Sequence, residues 1–149
     1  MLTRIDHVGI ACRDLDAAIG RYEATFGLQV VSLEVNEEQG VREAMLAVGR
    51  AQLAAVAAGD LQPGYVQLLE PLGPDTPVGR FLARRGEGLH HLGYGVQDIG
   101  QALAAIGVRG VRLLDERPRH GSMGASIAFL HPADLGGVLT ELVQAAGPA

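Results

Sequence analysis

The chain nearly repeats itself, and this constrains its fold more than any other feature. Asp6-His7-Val8-Gly9-Ile10-Ala11-Cys12-Arg13-Asp14-Leu15 lies without a gap over His90-His91-Leu92-Gly93-Tyr94-Gly95-Val96-Gln97-Asp98-Ile99. His, Gly and Asp coincide, as does the apolar character of most other positions. Each segment reads as a strand that passes into a helical pattern, 15–26 and 99–106. Asp14 and Asp98 stand where N-caps belong, and Gly27 and Gly107 where a helix would stop in the left-handed region. Strand-like runs follow in both halves, at 28–35, 42–48 and 65–70 in the first and at 111–114, 126–130 and 138–143 in the second.

Both halves therefore read strand, helix, strand, strand, strand. With 149 residues in all, each half is about half an ordinary domain and has to share a core with the other. The expected architecture is α+β, with two pseudo-symmetric βαβββ modules, at about 1–73 and 86–149, forming a curved mixed sheet around a cavity. The Pro, Gly, Asp and Thr cluster opening 74–85 reads as their linker, with one helical turn near 80–85. The segment 51–64 has no counterpart in the second half. Its alanine-rich part, 51–58, fits either a strand extension or a short helix, and 60–64 reads as a turn.

Composition removes several chemistries. All twelve basic residues are arginine, so Schiff-base catalysis, a Walker-type phosphate loop and a pyridoxal phosphate anchor are excluded. The single Cys12 excludes intrachain disulfides and multi-cysteine zinc sites, and it reads as a core residue. A net charge of −5 speaks against nucleic acid and anionic membrane partners. The N-terminus lacks a secretory signal and no apolar run has membrane-spanning length, so the expected location is cytoplasmic.

Carboxylate, imidazole and amide are left as the available groups. A polar residue flanked by apolar ones in a strand requires a reason. His7 and His91 occupy equivalent positions on the first strands, and Gln67 and Glu141 on the last strands, each polar within an apolar run. A pseudo-twofold axis would bring all four around one cavity, a donor set suited to a divalent first-row metal. Strand alternation should turn His90 away from His91, which makes it structural. Arg84 and Arg85 read as a solvated face, and His120 and His131 as loop residues.

These strands and ligands resemble the vicinal oxygen chelate superfamily. More closely, the chain resembles the methylmalonyl-CoA epimerase family over nearly its whole length. The particular stretches are Glu38-Gln39-Gly40-Val41-Arg42-Glu43-Ala44-Met45 and Gly137-Val138-Leu139-Thr140-Glu141-Leu142, beside Gly86-Glu87-Gly88-Leu89-His90-His91. The resemblance implies epimerisation at carbon 2 of a CoA thioester, with His7, Gln67, His91 and Glu141 as metal ligands. Glu43 and Glu141 would be the two acid/base groups. Without the resemblance Glu43 reads as an exposed charge. It also implies one divalent metal ion, cobalt favoured over zinc, manganese, nickel or magnesium, and a homodimer. Arg119, Ser122, Met123 and Gly124, in a Gly-rich basic loop, are the candidate substrate-binding residues. A glyoxalase-like lyase or isomerase would share the ligands but need no partner at Glu43, and a small-molecule-binding protein would need no chemistry at all.

Overall fold

The structure, a computed structural model, describes residues 1–59 and 64–147. Strands β1 (Leu2–Ala11), β2 (Gln29–Asn36), β3 (Val41–Ala47) and β4 (Tyr65–Pro71) come from the first half. From the second come β5 (Gly88–Val96), β6 (Arg119–His120), β7 (Ser126–Leu130) and β8 (Thr140–Gln144). They form a single mixed sheet in the order β2-β3-β4-β1-β5-β8-β7-β6. The symmetry expected from the repeat governs the pairing. β1 runs parallel to β4 and β5 parallel to β8, while β1 and β5 pair antiparallel at the centre. The sheet curls until its two edges meet: the His120 carbonyl near one edge accepts hydrogen bonds from Asn36 Nδ2 (3.0 Å) and Gln39 Nε2 (2.9 Å) beside the other. This is the glyoxalase-like α+β fold.

Two amphipathic helices back the outer face. Helix α1 (Leu15–Phe26) begins where Asp14 Oδ1 accepts from the Ala17 N–H at 3.0 Å, and it ends at Gly27 in the left-handed region (φ 68°). Its Leu15 and Ala18 pack on Ala44, Leu46 and Leu68. In the second half Asp98 caps α4 (Ile99–Val108), whose Ile99, Leu103 and Ile106 pack on Leu130 and Leu142. Burying a Leu or Ile side chain in such a cluster contributes about 1.5–3 kcal/mol. No helix among the described residues is long and apolar enough to cross a membrane.

Three readings are corrected here, and one left open is decided. Gly107 lies inside α4, and the left-handed turn falls instead at Gly110 (φ 85°), so the helix runs to Val108 and not to Ile106. The run 111–114 is not a regular strand. It follows β7 through a lone Leu113–Leu130 bridge, held at Arg112 by Asp134, and the extra strand of the second half is the short β6. The span 74–85 is more than a connector, because Pro77–Arg85 forms helix α3. Thr76 accepts from the Gly79 N–H and Pro77 occupies the first turn, where its missing N–H costs nothing. Helix α3 covers the inner face, with Val78 and Leu82 against Ala11, Val41 and Leu69. Of the two alternatives for the alanine-rich segment the helix is the one formed, as α2 (Arg50–Ala57). The turn expected at 60–64 lies, apart from Gly64, outside the described residues.

Candidate metal and acid/base site

The four central strands carry the site in two rows. In one, Gln67 of β4, Gly9 of β1 and His91 of β5 stand side by side. In the other, His7 of β1, Gly93 of β5 and Glu141 of β8 do the same. Each histidine thus lies opposite the glycine that follows its counterpart by two residues. A Cβ built on Gly9 would lie 2.2 Å from His91 Cε1, and one on Gly93 would lie 2.3 Å from His7 Cε1. The repeated His-x-Gly is therefore a mutual clearance. Gly9→Ala and Gly93→Ala should each displace the facing imidazole, lower stability by about 1–3 kcal/mol and weaken divalent-metal binding. Calorimetric melting and metal titration read both effects, and wild-type behaviour in both variants would remove the clearance argument.

His7, His91 and Glu141 are all buried. His7 Nε2 lies 2.8 Å from His91 Nε2 and 3.4 Å from Glu141 Oε2, and His91 Nε2 is 2.8 Å from the same oxygen. An ion about 2.1 Å from each donor would hold right-angled donors about 3.0 Å apart, and these spacings suit it. Gln67 supplies a second sign. Its Nε2 donates to Glu43 Oε2 at 3.0 Å and to Ser122 Oγ at 3.2 Å, whereas its buried Oε1 has no hydrogen-bond partner. A buried amide oxygen left unpaired costs about 1–3 kcal/mol, and a cation would satisfy it. The donor set of two imidazoles, a carboxylate and an amide oxygen fits a divalent metal.

Glu43, on β3, is 2% exposed rather than the solvated charge that its sequence neighbours suggest. Ser122 Oγ donates to its Oε1 at 2.5 Å and Gln67 to its other oxygen. Burial raises the Glu43 carboxyl to about 7 against the lowering effect of Ser122, with Glu141 and Glu34 adding to the rise. Glu141 moves the opposite way. Burial would raise it, but His7 and His91 outweigh burial and hold it well below the carboxylate range. Burial likewise opposes charge on His7, yet Glu141 and Asp6 lift it to about 10. Burial lowers His91, and Glu141 only partly offsets this.

The loop residues separate in role. Ser122 and Met123 belong to a 3₁₀ turn at Ser122–Gly124 that lies over Glu43, where Met123 adopts left-handed backbone (φ 58°, ψ 32°), uncommon outside glycine. Its N–H is held by Glu34 Oε2 at 2.9 Å, and its side chain packs near Met45 and Tyr65. Gly124 supplies a second positive φ (72°). Arg119 is paired with Asp115 at 3.0 Å and lines a cavity of about 200 Å³ together with His90, His91 and Phe129. A larger cavity, about 850 Å³, adjoins it at Pro77, His90, His91, Leu114 and Leu139. Arg80, Arg84, Arg85 and His131 line the larger cavity. Arg84 and Arg85, expected to be a plain solvated face, thus stand beside the site. Glu43, Gln67 and Glu141 line neither cavity.

His90 departs from its expected orientation. Its ring centroid is 5.2 Å from that of His91, with Nδ1 2.9 Å from His91 Nδ1, and Phe81 packs edge-on against it. Burial, followed by His91, lowers it to about 4. Asp6, too, escaped notice in the sequence, although its Oδ1 lies 2.9 Å from His7 Nδ1. The signal was available, since Asp6 aligns with His90 in the repeat.

Residues 6–129 match the model of the Glyoxalase/Bleomycin resistance protein/Dioxygenase superfamily. A structure of Streptomyces coelicolor methylmalonyl-CoA epimerase, a single-residue variant in complex with 2-nitronate-propionyl-CoA, is 52% identical. It superposes with a TM-score of 0.90 over 99% of this chain and 97% of that one. The chain belongs to the methylmalonyl-CoA epimerase family of this superfamily. A methylmalonyl-CoA epimerase in complex with methylmalonyl-CoA and ammonium matches equally well, at 52% identity and TM-score 0.90, with the same coverage of 99% and 97%. The human mitochondrial methylmalonyl-CoA epimerase is 34% identical over 97% of this chain and 75% of its own length.

Proposed function

We propose that this chain interconverts the two epimers of methylmalonyl-CoA by proton transfer at carbon 2 through an enolate. The observation that carries this reading is the pairing of Glu43 and Glu141. One carboxyl is lifted toward neutrality and the other held ionised, both beside the same cluster of donors. Epimerisation requires such a pair, because one group removes the proton from one face while the other delivers a proton to the opposite face. In one direction Glu141 accepts the C2 proton and Glu43 gives up its own. In the other direction the roles exchange, so the proton count balances over a cycle. A divalent ion held by His7, Gln67, His91 and Glu141 would supply Lewis-acid stabilisation of the enolate; these donors suit several divalent ions, and the family resemblance favours cobalt among them.

The remaining residues bind and exclude water. Ser122 and Gln67 fix the Glu43 carboxyl and keep it from swinging into solvent. The turn bearing Ser122 and Met123 covers Glu43 and shields it from water. Arg80, Arg84 and Arg85 suit the phosphates of CoA, since planar guanidinium groups bind phosphate well. The local arginine patch reconciles an anionic substrate with a net charge of −5.

One epimer of methylmalonyl-CoA incubated with Co²⁺-loaded protein in deuterated water should gain solvent deuterium at carbon 2 as the other epimer appears. Mass spectrometry reads the label. A loaded protein that leaves the substrate unlabelled would overturn the proposal.

A further inference from the structure

Each of the two ligand histidines is immediately preceded by a polar residue that touches its other ring nitrogen. In a regular strand this is not expected, because neighbours point to opposite faces. Two β-bulges make it happen. Between β1 and β5, Ile5 pairs with Tyr94 and His7 with Gly93, so Asp6 is an extra residue without an opposite number. Further along the same ladder, Gly9 pairs with His91 and Ile10 with Leu89, which makes His90 the extra residue of β5. A bulge bends the strand and re-aims the side chain it carries. The two bulged residues are each other's counterparts in the repeat, so the duplication preserved the device while its chemistry diverged.

We infer that Asp6 and His90 are positioning residues for the metal, each fixing the tautomer of the histidine that follows it. This inference rests on the proposed metal site. The hydrogen-bond accounting is the argument. Asp6 Oδ1 can only accept, so His7 Nδ1 carries the hydrogen, and Nε2 is the nitrogen that would exchange its proton for an ion between His91 and Glu141. His91 ligates through Nε2 only if its Nδ1 bears the hydrogen, and among the described residues the acceptor at that nitrogen is His90 Nδ1, at 2.9 Å. His90 is therefore neutral, with its own hydrogen on Nε2. Its ring is kept in place by Phe81, whose centroid is 4.9 Å away. Asp6 is braced in the same way by Arg4, which donates to Oδ2 from Nη2 at 3.0 Å and from Nε at 3.3 Å.

The two supports are unequal. A carboxylate acceptor makes the imidazole it holds a stronger donor to a cation, whereas a neutral imidazole acceptor does so less. His7 should accordingly bind the ion more strongly than His91, and loss of Asp6 should matter more than loss of His90.

The test uses the whole chain, with Co²⁺ alone as the probe, titrated against a chromophoric chelator. Asp6→Ala and His90→Ala should weaken Co²⁺ binding about 10–100-fold, the range for partners of ligating histidines, with the larger loss at Asp6. Asp6→Asn and His90→Gln retain an acceptor oxygen and should recover most of the affinity, which general disruption of packing would not allow. Long-range ¹H–¹⁵N spectra of the wild-type Zn²⁺ form supply a readout independent of any variant, and both histidines should carry hydrogen on Nδ1. Alanine variants that bind Co²⁺ as tightly as the wild type, or a hydrogen found on Nε2 of either histidine, would overturn the inference. Wild-type protein that binds neither Co²⁺ nor Zn²⁺ would instead overturn the metal site on which it rests.

Discussion

Glu141→Ala is expected to abolish metal binding and epimerisation together, with turnover falling at least about 10³-fold. The carboxylate is the anion of the donor set. Without it, His7 Nε2 and His91 Nε2 face each other at 2.8 Å with nothing between them to offset a cation. The loss should also register in stability, and the sign follows from the groups involved. Metal-free His7 is raised from 6.5 to about 10, so its ion pair with Glu141 stabilises the fold below pH 6.5 and fades as the pH rises through 10. Glu141 is lowered from 4.5, so its side of the pair is present above pH 4.5 and fades in acid. The pair is therefore fully in force between about pH 4.5 and 6.5. Chelator-treated Glu141→Ala should show its largest drop in melting temperature there, and a smaller one at pH 3 or pH 10. Wild-type Co²⁺ affinity in the variant would exclude Glu141 from the site.

The topology, the meeting of His7, His91 and Glu141, and the place of Gln67 in the row beside His91 were legible because they obey the internal repeat. His7 aligns with His91, Gln67 with Glu141, and the curled sheet follows from strand-helix-strand units that cannot bury a core alone. What the repeat could not show is what breaks it. Glu43 pairs with Leu69, two residues along from Gln67, and the matching place in the second half, found by pairing Val143 with β7, is held by Ile127. A carboxylate facing an isoleucine counterpart leaves no trace in an internal alignment. His90 was misread for a different reason. Face alternation is a rule for regular strands, and a bulge suspends it at a single residue without changing the apolar pattern on either side. Helix α3 hid in the same way. Its Pro and Gly content resembles a linker, and only the buried Val78 and Leu82 against the inner sheet face account for it.

Glu43→Gln should separate catalysis from architecture more sharply than any other substitution. Glutamine has nearly the shape of the protonated acid and can still bond with Ser122 and Gln67, but it cannot carry a proton to or from carbon. Deuterium exchange and epimerisation should fall about 10²–10⁴-fold, while Co²⁺ affinity changes by no more than about threefold, since Glu43 is not among the donors. The metal-free protein should also become more stable in alkali. The carboxyl is raised from 4.5 to about 7. Below pH 4.5 it is neutral in both the folded and unfolded chains and contributes nothing. As the pH rises from 4.5 to 7, the unfolded chain ionises first and the fold loses up to about 3 kcal/mol, a cost that stays constant above pH 7. Glutamine never bears that charge. The melting temperature of the variant should therefore draw ahead of the wild type between pH 5 and pH 8, by several degrees for a chain of this length. Undiminished exchange in Glu43→Gln would remove this residue from the mechanism. A melting difference that does not change with pH would show that its carboxyl is not held neutral, leaving the opposed pair of glutamates without one of its members.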